Sequence, residues 1–230
     1  MTAHRRNAAF VDPLERRFLA WLVVRLPTAV TPDMLTAVGF VGALCTMAGY
    51  ALASLQPAML ALASVGLALN WFGDSLDGTL ARWRRIERPR YGFFLDNAVD
   101  IVEQGLLAVG IGLSGYVGWG LAAGVLASFF MLSLLSLLRA QVHGVFDIAL
   151  AGIGLTEIRC LLIVANILLF LYPPRSFAML GLSLTYADLL AVSWLVGNLA
   201  TFLTIAVQEL RRLRIEDRQP WASRTGDRPS

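Results

Sequence analysis

The sequence contains no lysine; all nineteen of its Lys+Arg residues are arginine, a bias that points to no particular function. Charge of either sign is scarce. Only 15% of the 230 residues are charged, against 57% hydrophobic. That balance excludes an ordinary soluble domain and fits a polytopic membrane protein. Cysteine is nearly absent: Cys45 and Cys160 stand singly inside apolar stretches, as small core residues and not as a disulfide or metal pair. No cleavable signal peptide is expected from this stretch, because the apolar run from Phe18 to Val24 stops at Arg25 with no small-residue cleavage site after it. That run is also too short to span a bilayer, which takes roughly 20 apolar residues. No internal repeat suggests a transporter built from two halves, and no nucleic-acid partner is expected.

Long hydrophobic runs are what the chain has instead. Asp12 to Leu26 reads as a helix lying in the membrane interface, its arginines towards headgroups, or as a helix docked on the bundle. Six apolar segments follow: Thr31 to about Ser54, Pro57 to about Trp83, Tyr91 to about Leu113, Val117 to about Arg139, Glu157 to Tyr172, and about Leu182 to Glu209. Thr31-Pro32-Asp33 is a helix-start signal, with proline in the first turn. The expected fold is an all-α membrane protein of six transmembrane helices with an N-terminal interfacial helix. Its parts are an N-terminal segment (1–30), a membrane domain (31–212) and a disordered tail (213–230). With both termini cytoplasmic, eighteen arginines lie inside and only Arg175 outside, which sets the orientation. A multi-pass protein of a bacterial inner membrane is the expected location.

Charge enters the apolar segments in one place. Asp74, Asp77, Asp96 and Asp100 form two pairs on the second and third segments, joined by an arginine-rich loop. At about 100° per residue, Asp77, Gly78, Ala81 and Arg82 fall within roughly 80° of Asp74 on one helical face. Gly92, Asp100 and Glu103 fall within roughly 40° of Asp96. The short loop makes the two helices antiparallel neighbours. Both acid pairs then lie about 7–8 Å inside the helix ends and converge at one depth. Four anions in low dielectric need positive charge, or protons bind. Arg82 supplies one; two Mg²⁺ or Mn²⁺ ions, which favour oxygen ligands and phosphates, would balance the rest. Paired metals are a device of phosphoryl transfer. Gly78 and Ala81 leave room for a ligand beside the acids.

These residues, Asp74-x2-Asp77-Gly78-x2-Ala81-Arg82 followed by Gly92-x3-Asp96-x3-Asp100, resemble the signature of the CDP-alcohol phosphatidyltransferases. Nine residues separate Arg82 from Gly92, one more than the usual pattern. Thr31 to Thr36 also resembles the family's entry into its first helix, with Asp33 where Asn is usual. The resemblance implies cleavage of a CDP-linked alcohol's pyrophosphate, transfer of the phospho-alcohol unit to a second hydroxyl and release of CMP. It implies that Asp74, Asp77, Asp96 and Asp100 hold two metals, that Asp100 is the general base, and that Asp74, Gly78, Ala81 and Arg82 line the CDP site. It also implies a homodimer.

The acceptor side is carried by Arg139, Glu157 and Arg159 at the ends of segments four and five. Arginines there help similar enzymes bind a polar or phosphorylated acceptor; the positive-inside rule alone also accounts for them. Glu157 fits an acceptor contact or an acid favoured by the helix dipole. His143 reads as a solvated loop histidine, and Glu103 as a support for the acids or a helix–helix contact. The expected reaction moves a phosphatidyl group from CDP-diacylglycerol to a small polar alcohol or its phosphate. One alternative moves a phosphocholine- or phosphoethanolamine-type group from a CDP-linked polar alcohol to diacylglycerol; Asn97 after the third acid weighs against it. Another, from a different class, is a cation- or proton-coupled transporter.

Overall fold

The structure, a computed structural model, describes residues 4–6, 12–143, 145–147, 154–179 and 182–217. Helix α1 spans Asp12–Val23, α2 Pro32–Ala53, α3 Leu60–Arg84, α4 Pro89–Leu113, α5 Trp119–His143, α6 Leu155–Leu171 and α7 Tyr186–Glu216. The fold is helical as expected, and among the described residues four three-residue strands lie outside the helices. β1 (His4–Arg6) pairs in parallel with β2 (Val145–Asp147), and β3 (Phe177–Met179) pairs antiparallel with β4 (Leu182–Leu184). β3 and β4 pair across a short connection, whereas β1 and β2 come together from segments separated by five helices.

Local chemistry sets the helix ends. Thr31 caps α2 by accepting a hydrogen bond from the Met34 N–H at 3.2 Å, with Pro32 as the first helical residue. α3 ends in a left-handed residue, Arg85 at φ 55°, and the Ile86 N–H reaches back to the Ala81 carbonyl at 3.0 Å. Pro89 then opens α4. Gly115, at φ 74°, makes the turn from α4 towards α5. Thr185 and Asp188 cap α7 reciprocally.

Among the described residues four spans, α2, α3 with its preceding turn, α5 and α7, are long and apolar enough to cross a membrane. The expectation was six. α4 is as long as α5, but Asp96, Asp100 and Glu103 interrupt its apolar character, and α6 has only seventeen residues. α5 runs beyond the expected end at Arg139 to His143, which therefore ends a helix instead of sitting in a loop. Glu209 of α7 receives both Arg139 Nε, at 3.4 Å, and the His143 ring. α7 itself continues through Glu216, four residues into the expected tail, with an Arg212–Glu216 pair one turn apart at 2.8 Å. The rest of that tail, 218–230, lies outside the described residues.

α2 and α3 cross with almost no side chain between them. A Cβ on Gly49 would stand 2.3 Å from the Ala63 nitrogen, and one on Gly73 would stand 2.3 Å from the Gly39 nitrogen. Close approach through small residues is how helices associate in lipid, where no hydrophobic drive separates helix from solvent. Thr46 and Asn70 sit buried in this seam and bond backbone carbonyls across it. α1 docks on the same pair: Leu19 and Val23 pack with Leu35, Leu76 and Leu80 into one core cluster. Arg84 ties the chain between α1 and α2 to α3, donating to the carbonyls of Pro27 at 2.8 Å and Val30 at 2.5 Å, and Leu26 and Val30 pack against the same core cluster.

Candidate active site

The α2–α3 seam and the α2–α4 packing bring three helices together at the end where α2 begins and α3 finishes. There Thr36 and Gly39 of α2, Asp74 and Asp77 of α3, and Asp96, Val99, Asp100 and Glu103 of α4 line one cavity of about 10 Å³. The helical faces read from the sequence therefore do meet, and all four aspartates of the motif share one space. Glu103 joins them, and its side chain also meets Asn70 in the α2–α3 seam. Both roles considered for Glu103 are thus compatible with its position.

Each acid on α3 has a specific partner. Thr36 Oγ1 donates to Asp77 Oδ2 at 2.6 Å, and the Gly78 N–H donates to Asp77 Oδ1 at 2.5 Å. Arg159 Nη2 of α6 donates to Asp74 Oδ2 at 2.9 Å. Arg159 is only 8% exposed. A buried guanidinium needs a charged or strongly polar partner, and an acid pair in low dielectric needs a cation. Arg159 is a cation at the acids that the helical faces of α3 and α4 did not predict. Arg82, the cation expected there, donates from Nη2 to Thr79 Oγ1 at 3.3 Å, and its guanidinium covers Gly78, where an added Cβ would lie 3.2 Å from Nη1. The guanidinium of Arg82 can lie over Gly78 because glycine has no side chain, and Arg159 arrives from a helix that packs on α3.

Gly78, Ala81 and Arg82 lie one to two turns from Asp74 along α3, outside the lining of the acid cavity. Arg139 is placed with Glu209 and is likewise outside that lining. Glu157 accepts from the Gly154 N–H at 3.0 Å and so closes the first turn of α6, the helix-end role considered for it. Thr36 was missed as a site residue. The helix-start motif contained it, but only the crossing of α2 over α3 turns its hydroxyl onto Asp77.

The donor set is all oxygen, which fits Mg²⁺ or Mn²⁺. Among the described residues no three acidic, histidine or cysteine side chains stand together at metal-holding spacing. Asp74 and Asp77 are turned instead onto Arg159 and Thr36.

The profile of the family described as CDP-alcohol phosphatidyltransferase matches residues 29–206, a stretch that begins before α2 and ends inside α7. The chain belongs to the CDP-alcohol phosphatidyltransferase family. It is 34% identical over 154 residues to an archaetidylinositol phosphate synthase of Methanothermobacter thermautotrophicus, covering 67% of this chain and 73% of that one. It is also 34% identical over 148 residues to an archaetidylinositol phosphate synthase of Pyrococcus horikoshii, covering 64% and 70%. A CDP-alcohol phosphatidyltransferase is an enzyme of phospholipid synthesis, which removes the transporter reading. It transfers a lipid-linked phosphoryl group from a CDP-lipid to an alcohol, and the apolar helices fit its membrane setting. Family members generally use divalent metals. Both relatives are archaeal, so the expected bacterial membrane finds no support in them.

Proposed function

We propose that the protein transfers a phosphatidyl-type group from a CDP-linked two-chain glycerolipid to the hydroxyl of a phosphorylated polyol of the inositol phosphate kind, releasing CMP. The observation that carries this reading is Arg159, a buried guanidinium fixed beside the acid cavity by Asp74. Planar, permanently charged and forked, it suits an acceptor that brings its own phosphate. The relatives' names agree with such an acceptor.

In this reading Asp74, Asp77, Asp96 and Asp100 would hold two Mg²⁺ or Mn²⁺ ions, which would offset negative charge on the donor's pyrophosphate. Arg82, with Gly78 and Ala81, takes the CDP end along α3. Arg159 receives the acceptor's phosphate, and Arg139 stands further out on α5. Asp100 accepts the proton of the attacking hydroxyl. The new bond forms between the acceptor oxygen and the lipid-bearing phosphorus, the pyrophosphate P–O bond breaks, and CMP carries away the electron pair. Thr36 holds Asp77 in place throughout. The protein crosses the cell membrane six times with both termini cytoplasmic, and it acts as a homodimer.

The test is CMP release by the purified protein with Mg²⁺ or Mn²⁺ and CDP-diacylglycerol or CDP-archaeol. The acceptors are myo-inositol 1-phosphate, inositol, glycerol 3-phosphate, serine and choline. Turnover highest with an alcohol phosphate is expected. Turnover only with an unphosphorylated alcohol would overturn the acceptor class, and no CMP from any pairing would overturn the reaction.

A further inference from the structure

The N-terminal helix carries an acid that the transfer reaction has not called on. Glu15 lies in the second turn of α1, half-buried, and its carboxylate contacts three side chains on two other helices. Trp71 Nε1 and Ser75 Oγ of α3 each donate to its Oε1 at 2.8 Å. Thr156 Oγ1 of α6 donates across both oxygens, at 3.2 and 3.1 Å. An acid near a helix start is explained by the helix dipole alone when it faces solvent. Glu15 instead points into the bundle, and the Phe18 ring stacks on Trp71 beside it at 6.1 Å.

The contacts join positions next to the site. Ser75 follows Asp74 directly on α3. Thr156 is three residues before Arg159, so the two share a face of α6 within a single rigid turn. The first turn of α6 is therefore held to α3 twice, by Arg159 on Asp74 and by Thr156 through Glu15. Helix α6 also packs on α3 along its length, and Asn166 Nδ2 donates to Ser64 Oγ at 3.1 Å further along it. Thr156 and Arg159 fix the end of α6 that lies at the acids. A shift of about 1 Å in a group that orients substrate costs on the order of a hundredfold in rate.

We propose that Glu15 is a positioning residue of the transfer site: its carboxylate clamps the first turn of α6 to α3 and so sets where the Arg159 guanidinium meets Asp74. This rests on the reading of Arg159 as the acceptor-phosphate contact. The N-terminal helix is then part of the acceptor site's architecture and not only a membrane-surface anchor.

Four forms of the full-length protein test it: wild type, Glu15→Ala, Glu15→Gln and Thr156→Val. Glu15→Ala removes the whole bridge. Glu15→Gln keeps an oxygen for Trp71 and Ser75 and an amide that donates to the Thr156 hydroxyl. Thr156→Val removes only the α6 arm while keeping side-chain shape. With myo-inositol 1-phosphate as acceptor probe, Glu15→Ala and Thr156→Val should each raise the acceptor KM by about tenfold or more, the scale of lost hydrogen bonds to a charged group. The KM for the CDP-lipid should stay within about twofold, and Glu15→Gln should recover most of the loss.

A second readout needs no turnover. Amide hydrogen exchange at 155–160 of the substrate-free protein should rise in Glu15→Ala and Thr156→Val and return towards wild type in Glu15→Gln. Equal loss for both substrates, or an unchanged acceptor KM, would overturn the positioning role. Unchanged exchange at 155–160 in both variants would overturn the clamp itself. A wild-type protein that releases no CMP refutes the transfer reading, and the exchange result then decides the clamp alone. Should Glu15→Ala not fold, Thr156→Val and Glu15→Gln carry the same comparison.

Discussion

Replacing Gly73 with alanine tests whether the α2–α3 seam is what assembles the acids. The added methyl would meet only backbone: the Gly39 nitrogen at 2.3 Å, the Leu35 carbonyl oxygen at 2.4 Å and the Gly39 Cα at 2.6 Å. No side chain can rotate away, so the helices must part. Moving from 2.3 Å to an ordinary contact near 3.4 Å requires a separation of about 1 Å. Overpacking of this kind costs roughly 1–3 kcal/mol. In a chain of this size each kcal/mol lowers the unfolding midpoint by about 2–4 °C. The same displacement carries Thr36 away from Asp77, now 2.6 Å apart, and moves Asp74 relative to α4. Turnover should fall by about a hundredfold even below the new midpoint, the cost of a 1 Å error in a positioned group. The control is Gly105→Ala on α4, where an added Cβ meets nothing within 4 Å and alanine is the better helix former. Thermal unfolding in detergent, paired with CMP release at several temperatures, reads both effects. Gly73→Ala with a wild-type midpoint and wild-type turnover would refute the argument that backbone contact at this seam sets the site.

Asp100→Asn should abolish CMP release, by about a thousandfold or more, with an unchanged unfolding midpoint; retained turnover removes Asp100 from the base role. Thr36→Val should lower kcat by about tenfold while leaving the fold intact, because it strips one hydrogen bond from Asp77 without changing side-chain volume; equal turnover would make that bond incidental. Arg84→Ala should expose residues 24–31 to limited proteolysis and cost about 1–3 kcal/mol, since carbonyls of Pro27 and Val30 lose their donor; an unchanged cleavage pattern would show that the docking of α1 alone holds this segment.

Sequence periodicity was enough to place Asp74 and Asp77 on one face of α3, and Asp96 and Asp100 on one face of α4, because those positions lie within a single helix and obey one repeat. The short connection between those helices then made their meeting unavoidable, and the cavity lined by all four aspartates bears that out. Thr31 and Pro32 announced the start of α2 for the same local reason. Elsewhere local reading ran short. Six apolar runs were legible; α2, α3 with its preceding turn, α5 and α7 are long and apolar enough to cross a membrane, while α4 carries acids and α6 has seventeen residues. His143 looked like a loop residue because nothing nearby in sequence predicts Glu209, its partner sixty-six positions away.

The sequence by itself determined that this is a membrane-embedded helical enzyme with four acids at one depth, and which residues signal its family. Tertiary structure alone decided their partners. Arg159 meets Asp74; Thr36 holds Asp77; and Glu15 binds α3 to α6. Each of these pairs joins residues far apart in the chain, and helix periodicity says which way a side chain points along its own axis but nothing about which other helix crosses there. Glycine backbones set that crossing for α2 and α3, by allowing an approach that any larger residue would forbid.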